Sequence, residues 1–261
     1  MTRIDEIFAG LKSDGHKALM PFVCGGHPTP DATGEILRAA AEGGASIIEI
    51  GFPYSDPIAD GPVITSAMHA ALGAGSTQEK VFDAVRSVRD ELDVGLIAMV
   101  SVSIVERLGG ASVFVERAKD AGFDGFIFPD VPLEESAGLR KEASDAGLTA
   151  TLLVAPTTPP ERVAAIARAC TGFVYLIAAS GITGERSDAP EIESRVAQIR
   201  ESTDLPVACG FGISSPDQVR AVVRHADAAI VGSALVRAIG DSDDPAGATR
   251  ELVSELAGGL N

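Results

Sequence analysis

The run Ser46-Ile-Ile-Glu-Ile-Gly-Phe52 sets a carboxylate, Glu49, among isoleucines. Side chains alternate along an extended strand, so Ile47, Glu49 and Gly51 share one face and Ile48 and Ile50 the other. Such a glutamate is either partly solvated beside a lysine or arginine, or held dry. A dry carboxyl has a raised pKa, which suits it to proton transfer near neutral pH. More acids follow: Asp56 in Ser55-Asp-Pro, Asp60 in Asp60-Gly-Pro, and Asp130 in Phe128-Pro-Asp-Val-Pro. Aspartate before glycine or proline is common in turns for backbone reasons alone, so these residues have a structural reading as well. Two glycine turns come late in the chain, Gly210-Phe-Gly-Ile-Ser-Ser-Pro and Val231-Gly-Ser-Ala-Leu. Glycine amides beside a helix N-terminus suit a phosphate. A third turn, Ser180-Gly-Ile-Thr-Gly-Glu-Arg-Ser-Asp188, is long and polar, as a closing lid is, or as an ordinary surface loop is. The chemistry these residues offer is acid–base work on a phosphorylated ligand.

The elements that must position them read as a regular alternation. Apolar, β-branched runs fall at 19–23, 46–50, 95–100, 125–129, 150–154, 173–177, 206–208 and 228–231, and predict eight strands. Amphipathic stretches at 31–42, 77–92, 112–121, 133–146, 160–170, 191–202, 216–224 and 244–257 predict helices between them. Thr29-Pro and Ser215-Pro place a capping hydroxyl before a first-turn proline. Eight strand–helix units at this length predict an α/β fold, a (β/α)8 TIM barrel. An extra N-terminal helix at 4–13 is expected to plug its bottom. The runner-up, a doubly wound open sheet, lacks the Gly-x-Gly-x-x-Gly turn after the first strand. No shift in composition marks a boundary, so one domain over residues 1–261 is expected. In such a barrel Glu49 and Asp130 fall near the C-terminal ends of strands, where active sites lie, and the glycine turns follow strands seven and eight, where phosphate sites lie.

Composition excludes several classes. The 261 residues are 46% hydrophobic and carry a formal charge of −16. That charge repels a phosphate backbone, and with no Trp and 5% aromatics there is little to stack bases on, so nucleic acid is not an expected partner. No basic-then-apolar N-terminus and no apolar run of about 18 residues is present, so neither a signal peptide nor a membrane span is expected, and the expected location is the cytoplasm. Cys24, Cys170 and Cys209 are odd in number and far apart; they fit no disulfide framework or zinc spacing and read as buried reduced thiols.

The segment Glu49-Ile-Gly-Phe-Pro-Tyr-Ser-Asp-Pro-Ile-Ala-Asp-Gly-Pro62 closely resembles the signature of the tryptophan synthase alpha subunit family. Pro21-Phe-Val, Pro129-Asp-Val-Pro132, Tyr175 before Ser180-Gly-Ile-Thr-Gly184, Gly210-Phe-Gly-Ile-Ser and Gly232-Ser-Ala agree with it in order along nearly the whole chain. The resemblance implies retro-aldol cleavage of indole-3-glycerol phosphate to indole and glyceraldehyde 3-phosphate. It implies Glu49 as the acid and base, and Asp60 as the carboxylate that stabilises charge on the indole ring. Phe22 and Tyr175 would shape the indole pocket. Gly184, Gly212, Gly232 and Ser233 would hold the phosphate. Thr183 would meet Asp56 or Asp60 as a lid closes, with Asp130 at the communicating rim. No metal or organic cofactor is implied. The implied partner is a pyridoxal-phosphate-dependent beta subunit, in an assembly of two alpha and two beta subunits.

The chain departs from the family pattern at two places. In Val23-Cys-Gly-Gly-His-Pro28, His27 stands where an aspartate is common, and reads as a surface polar residue. In Met99-Val-Ser-Val-Ser-Ile-Val105, Val102 and Ile104 replace an aromatic and an amide, in a region the resemblance puts near the beta contact face and the indole pocket. Three alternatives stay open: a free-standing lyase that releases indole without a partner, a silent subunit that only activates a beta partner, and another phosphate-binding barrel such as a sugar-phosphate isomerase.

Overall fold

The computed structural model describes residues 1–57, 60–178, 192–210 and 212–260. Its strands are β1 Ala18–Cys24, β2 Ile47–Gly51, β3 Gly95–Met99, β4 Gly125–Ile127, β5 Thr149–Thr151, β6 Leu153–Val154, β7 Val174–Ile177, β8 Val207–Gly210 and β9 Ala228–Val231. Every neighbouring pair is parallel, in the order β5-β4-β3-β2-β1-β9-β8-β7-β6. The expected strand at 150–154 is thus two pieces broken at Leu152. These pieces sit at opposite ends of the order yet are consecutive in the chain, so they nearly close the sheet into a barrel. Side chains bridge this seam. Thr151 Oγ1 donates to the Phe173 carbonyl at 3.2 Å, Ala150 N donates to Thr171 Oγ1 at 2.8 Å, and Leu152 N donates to Cys170 Sγ at 3.3 Å. All three cysteines are buried and free, as expected.

Because the strands are parallel, all their C-terminal ends share one end of the barrel, and alternation divides the apolar residues into two layers. Ile48, Ile50, Leu96 and Ala98 pack outward against the helices. Ile47, Met20, Ile97, Ile127 and Phe173 pack inward with Ile4 and Phe8 of the N-terminal helix Arg3–Ser13. That helix begins with a capping box between Thr2 and Asp5. A Cβ on Gly95, the first residue of β3, would lie 2.6 Å from Ile4 Cδ1, so the helix does plug the N-terminal end. Burying each of these large side chains contributes about 1.5–3 kcal/mol.

Ser215 caps the helix Pro216–Val223 by accepting from Gln218 N, as its Ser-Pro pair predicts. Thr29 does not cap: a 3-10 turn, Pro30–Ala32, intervenes, and it is the Thr33 hydroxyl that accepts a bond from Gly26 N at 2.9 Å. Two helices were not anticipated, Pro62–Gly73 and Val102–Arg107. The first hides behind Asp60-Gly-Pro, which reads as a turn but supplies Gly61 as N-cap and Pro62 as first helical residue. The second is rich in β-branched residues and is helical because two side chains hold its start, as described below. No helix among the described residues is long and apolar enough to cross a membrane.

Candidate active site at the open end of the barrel

Glu49 lies on the inward face of β2, between Ile47 and Gly51, in register with Phe22 on β1 and Ile97 on β3. It is completely buried, and neither carboxyl oxygen has a hydrogen-bond partner among the described residues. Below it the interior is apolar. Burial therefore pushes its pKa well above the usual carboxylate range, with no cation among the described residues to oppose the shift. The side chain does not point outward into the helical layer.

Asp60 follows the same strand and is partly buried. Desolvation raises its carboxyl to about 6, and no lysine or arginine pairs with it among the described residues. Tyr175 on β7 projects into the interior cluster, and its hydroxyl is raised well above its usual range, by burial first and then by Glu49. Phe22, 6% exposed, bridges the two sides of the mouth. Its ring tip lies 2.5 Å from where a Gly51 Cβ would stand, and its Cβ lies 3.9 Å from the corresponding point on Gly232.

The opposite wall is made by the turns after β8 and β9. Gly212 has φ +71°, a conformation glycine adopts without strain. Gly232 precedes the helix Ser233–Asp241 and offers no capping side chain, and Ser233, the first helical residue, is buried. A helix without a side-chain cap leaves its first amides for a ligand, and the dipole there favours an anion. Thr183, Gly184 and the expected lid turn lie outside the described residues.

Asp56 and Asp130 sit on the rim, both exposed. Asp56 accepts from the Ser55 hydroxyl. Asp130 is committed elsewhere: it accepts from Ser101 Oγ at 2.6 Å and from Val102 N at 3.0 Å, so together with Ser101 it holds the start of the helix Val102–Arg107. Ile104 on that helix is 4% exposed and packs in the outer layer between helices and sheet. His27 is not a surface residue either. It is half-buried, its Nδ1 is buried without a partner, and its ring packs against Gly240, so burial lowers its pKa.

Three side chains at this end were missed. Tyr54 is half-buried between the outer core and the mouth cluster, and its hydroxyl is pushed up to about 12 by burial and then by Asp60, Asp130 and Asp56. Its place inside the 49–62 segment was the available signal. Met99 and Leu153 face inward at strand ends and are partly exposed. Among the described residues no cluster of histidine, cysteine, aspartate or glutamate is arranged to hold a metal.

A nearly closed ring of parallel strands wrapped by helices, with its site at the C-terminal ends of the strands, is the arrangement of the (β/α)8-barrel enzymes. Within that class, the profile of the tryptophan synthase alpha chain family matches residues 8–259. The alpha chain of Halorhodospira halophila is 44% identical over 258 residues, covering 98% of this chain and 93% of that one. The alpha chain of Synechococcus sp. is 46% identical over 232 residues, covering 88% and 86%. Among solved structures, Mycobacterium tuberculosis tryptophan synthase superposes with a TM-score of 0.92 at 33% identity, covering 100% of this chain and 98% of that one. The Legionella pneumophila alpha subunit gives 0.88 at 32% identity, covering 100% and 98%. The chain belongs to the tryptophan synthase alpha chain family, and the resemblance carried by the 49–62 segment is borne out.

Proposed function

We propose that this chain, as one barrel domain in the cytoplasm, cleaves indole-3-glycerol phosphate, with Glu49 moving the protons. The protonated carboxyl of Glu49 delivers a proton to indole C3, and positive charge develops on the ring. Asp60, ionised, stabilises that charge beside the ring N–H. Removal of the proton from the hydroxyl next to C3 then forms the carbonyl, and the electrons of the breaking carbon–carbon bond return to the ring. One proton enters and one leaves, so indole and glyceraldehyde 3-phosphate are the only products. Two carboxyls in unequal environments, one dry and one partly solvated, take different roles in this way, proton transfer at Glu49 and charge stabilisation at Asp60. Phe22 and Tyr175 flank the ring, and Gly212, Gly232 and Ser233, together with Thr183 and Gly184, take the phosphate. Asp56 and Thr183 belong to loop closure, and Asp130 couples the rim to the partner face. The complete burial of Glu49 without a hydrogen-bond partner, on the inward face at the open end, carries this reading.

The partner is a tryptophan synthase beta subunit, in an assembly of two alpha and two beta chains, to which indole passes directly. The test is indole release from indole-3-glycerol phosphate, with and without a beta subunit, by wild type and Glu49→Gln. The variant is expected to bind the substrate and release almost no indole. Turnover like that of wild type would refute the role of Glu49.

A further inference from the structure

Glu49 is dry, yet nothing on its own strand covers it. Gly51, the next residue on the same inward face, has no side chain, and it stands about 6.6 Å further toward the open end at 3.3 Å per strand residue. The cover comes from the neighbouring strand. Phe22 is level with Glu49 in the β1–β2 register, and its ring leans toward the mouth. The ring atoms Cζ and Cε2 fall 2.5 and 2.7 Å from the point where a Cβ at Gly51 would stand. The ring therefore occupies the space that any other residue at 51 would fill, on the solvent side of the carboxyl.

We infer that Gly51 is a positioning residue for Glu49: its missing side chain admits the Phe22 ring across β2, and that ring is what separates the carboxyl from water at the barrel mouth. The inference rests on the assignment of Glu49 as the proton carrier only for its catalytic meaning; the geometry stands without it. A methyl at 51 meets the far end of a two-torsion side chain, so the ring gives way rather than the backbone. On the far side, Phe22 Cβ lies 3.9 Å from where a Cβ on Gly232 would stand, so the stem of the side chain is set beside that turn while the ring reaches over β2. The titratable groups around Glu49 are few. Tyr175 faces it from β7, and Asp60 lies beyond the end of β2. The adjoining strands β1 and β3 present Phe22, Ile97 and Met99, which carry no charge, and Cys24, whose thiol burial and Asp60 push up to about 12. No other charge close by is moved by the substitution.

The experiment is a carboxyl titration in protein labelled with 13C at the glutamate side-chain carboxyl, followed by NMR, with Glu49→Gln identifying the resonance. Gly51→Ala is expected to lower the apparent pKa of Glu49 by about one unit or more relative to wild type, because water reaches the carboxyl. Phe22→Ala is expected to do the same. The double variant is expected to match Phe22→Ala alone, because the glycine acts through the ring. A Gly51→Ala protein that titrates like wild type, or a double variant whose shift is the sum of the two, would overturn the inference. Should Gly51→Ala not fold, Phe22→Ala decides the matter, an unchanged titration overturning it. This readout needs no turnover, so it is independent of whether Glu49→Gln abolishes cleavage. If it does, the alkaline limb of the kcat profile moves to lower pH in Gly51→Ala by the same interval, which a loss of packing alone would not produce.

Discussion

The two ends of this barrel differ in the partners they give their buried carboxyls. At the N-terminal end Asp124 and Asp227 stand just before strands and are fully employed. Asp124 Oδ2 accepts from Leu96 N at 2.8 Å and from Arg89 at 3.2 Å. Asp227 accepts from Val207 N at 3.0 Å and pairs with Lys17 and Arg200. Each ties the start of one strand to the entry of another. At Asp124 burial outweighs the Leu96 amide and Arg89 and leaves the carboxyl raised; at Asp227 the Val207 amide, Lys17 and Arg200 together outweigh burial and bring the carboxyl below the usual aspartate range. At the C-terminal end Glu49 and Asp60 have no such partners among the described residues, and burial raises both. A paired acid holds the fold together; an unpaired dry acid costs the fold stability and is available to exchange a proton. The mouth is the place where the molecule gives up stability for chemistry.

The strongest way to break this contrast is at Glu49. Glu49→Gln is expected to lower kcat for indole release by about a thousandfold or more, the range of a lost general acid–base group. Asp60→Asn is expected to lose about a hundredfold, with substrate binding less affected, since it removes charge stabilisation and no proton carrier. A smaller loss at Glu49 than at Asp60 would reverse the two roles. At the other end, Asp227→Ala is expected to cost about 2–3 kcal/mol of stability in denaturant unfolding, with kcat within about twofold of wild type. The contribution of Asp227 is present above the ordinary aspartate range and is lost as pH falls through its depressed value. The smallest effect is expected at Asp130. Asp130→Ala removes the acceptor of Val102 N and of the Ser101 hydroxyl, and is expected to weaken the start of the helix Val102–Arg107 by about 1 kcal/mol, with Ser101 still in place as N-cap. A kcat loss as large as that of Asp60→Asn would show that the rim acid acts in the reaction itself.

Much of this arrangement was legible in the sequence for physical reasons. Strands buried on both faces must be continuous apolar runs, so they stood out, and a single charge inside one of them marked Glu49 at once. The late glycines were readable because their ordinal place in the barrel gives them a meaning. What escaped was set by tertiary contacts. The break at Leu152 depends on Cys170, Thr151 and Thr171 supplying bonds across the seam, and no local pattern encodes that. Val102–Arg107 has strand-like residues, and an aspartate 28 positions away caps it into a helix. His27 looked like a surface residue because it is polar and follows a strand; its burial comes from the helix Ser233–Asp241 on the far side of the chain. Met99 and Leu153 reach the mouth through strand position, which only the register reveals.

The contrast between the ends is a claim about linkage, and it has a direct measurement. A carboxyl whose pKa is raised by folding costs nothing at low pH, where folded and unfolded chains are both protonated. The cost grows as pH rises past its unfolded value, up to the folded value, and then stays. For Asp60 that window runs from about 4 to about 6, and for Glu49 it begins near 4.5 and extends higher. The difference in unfolding free energy between Glu49→Gln and wild type should therefore be measured from pH 4 to pH 8. The variant is predicted to gain on wild type steadily across that range and to be the more stable protein at pH 8. A difference that does not change with pH, or one that grows in favour of wild type as pH rises, would mean that Glu49 is solvated or paired, and would contradict the account at its root.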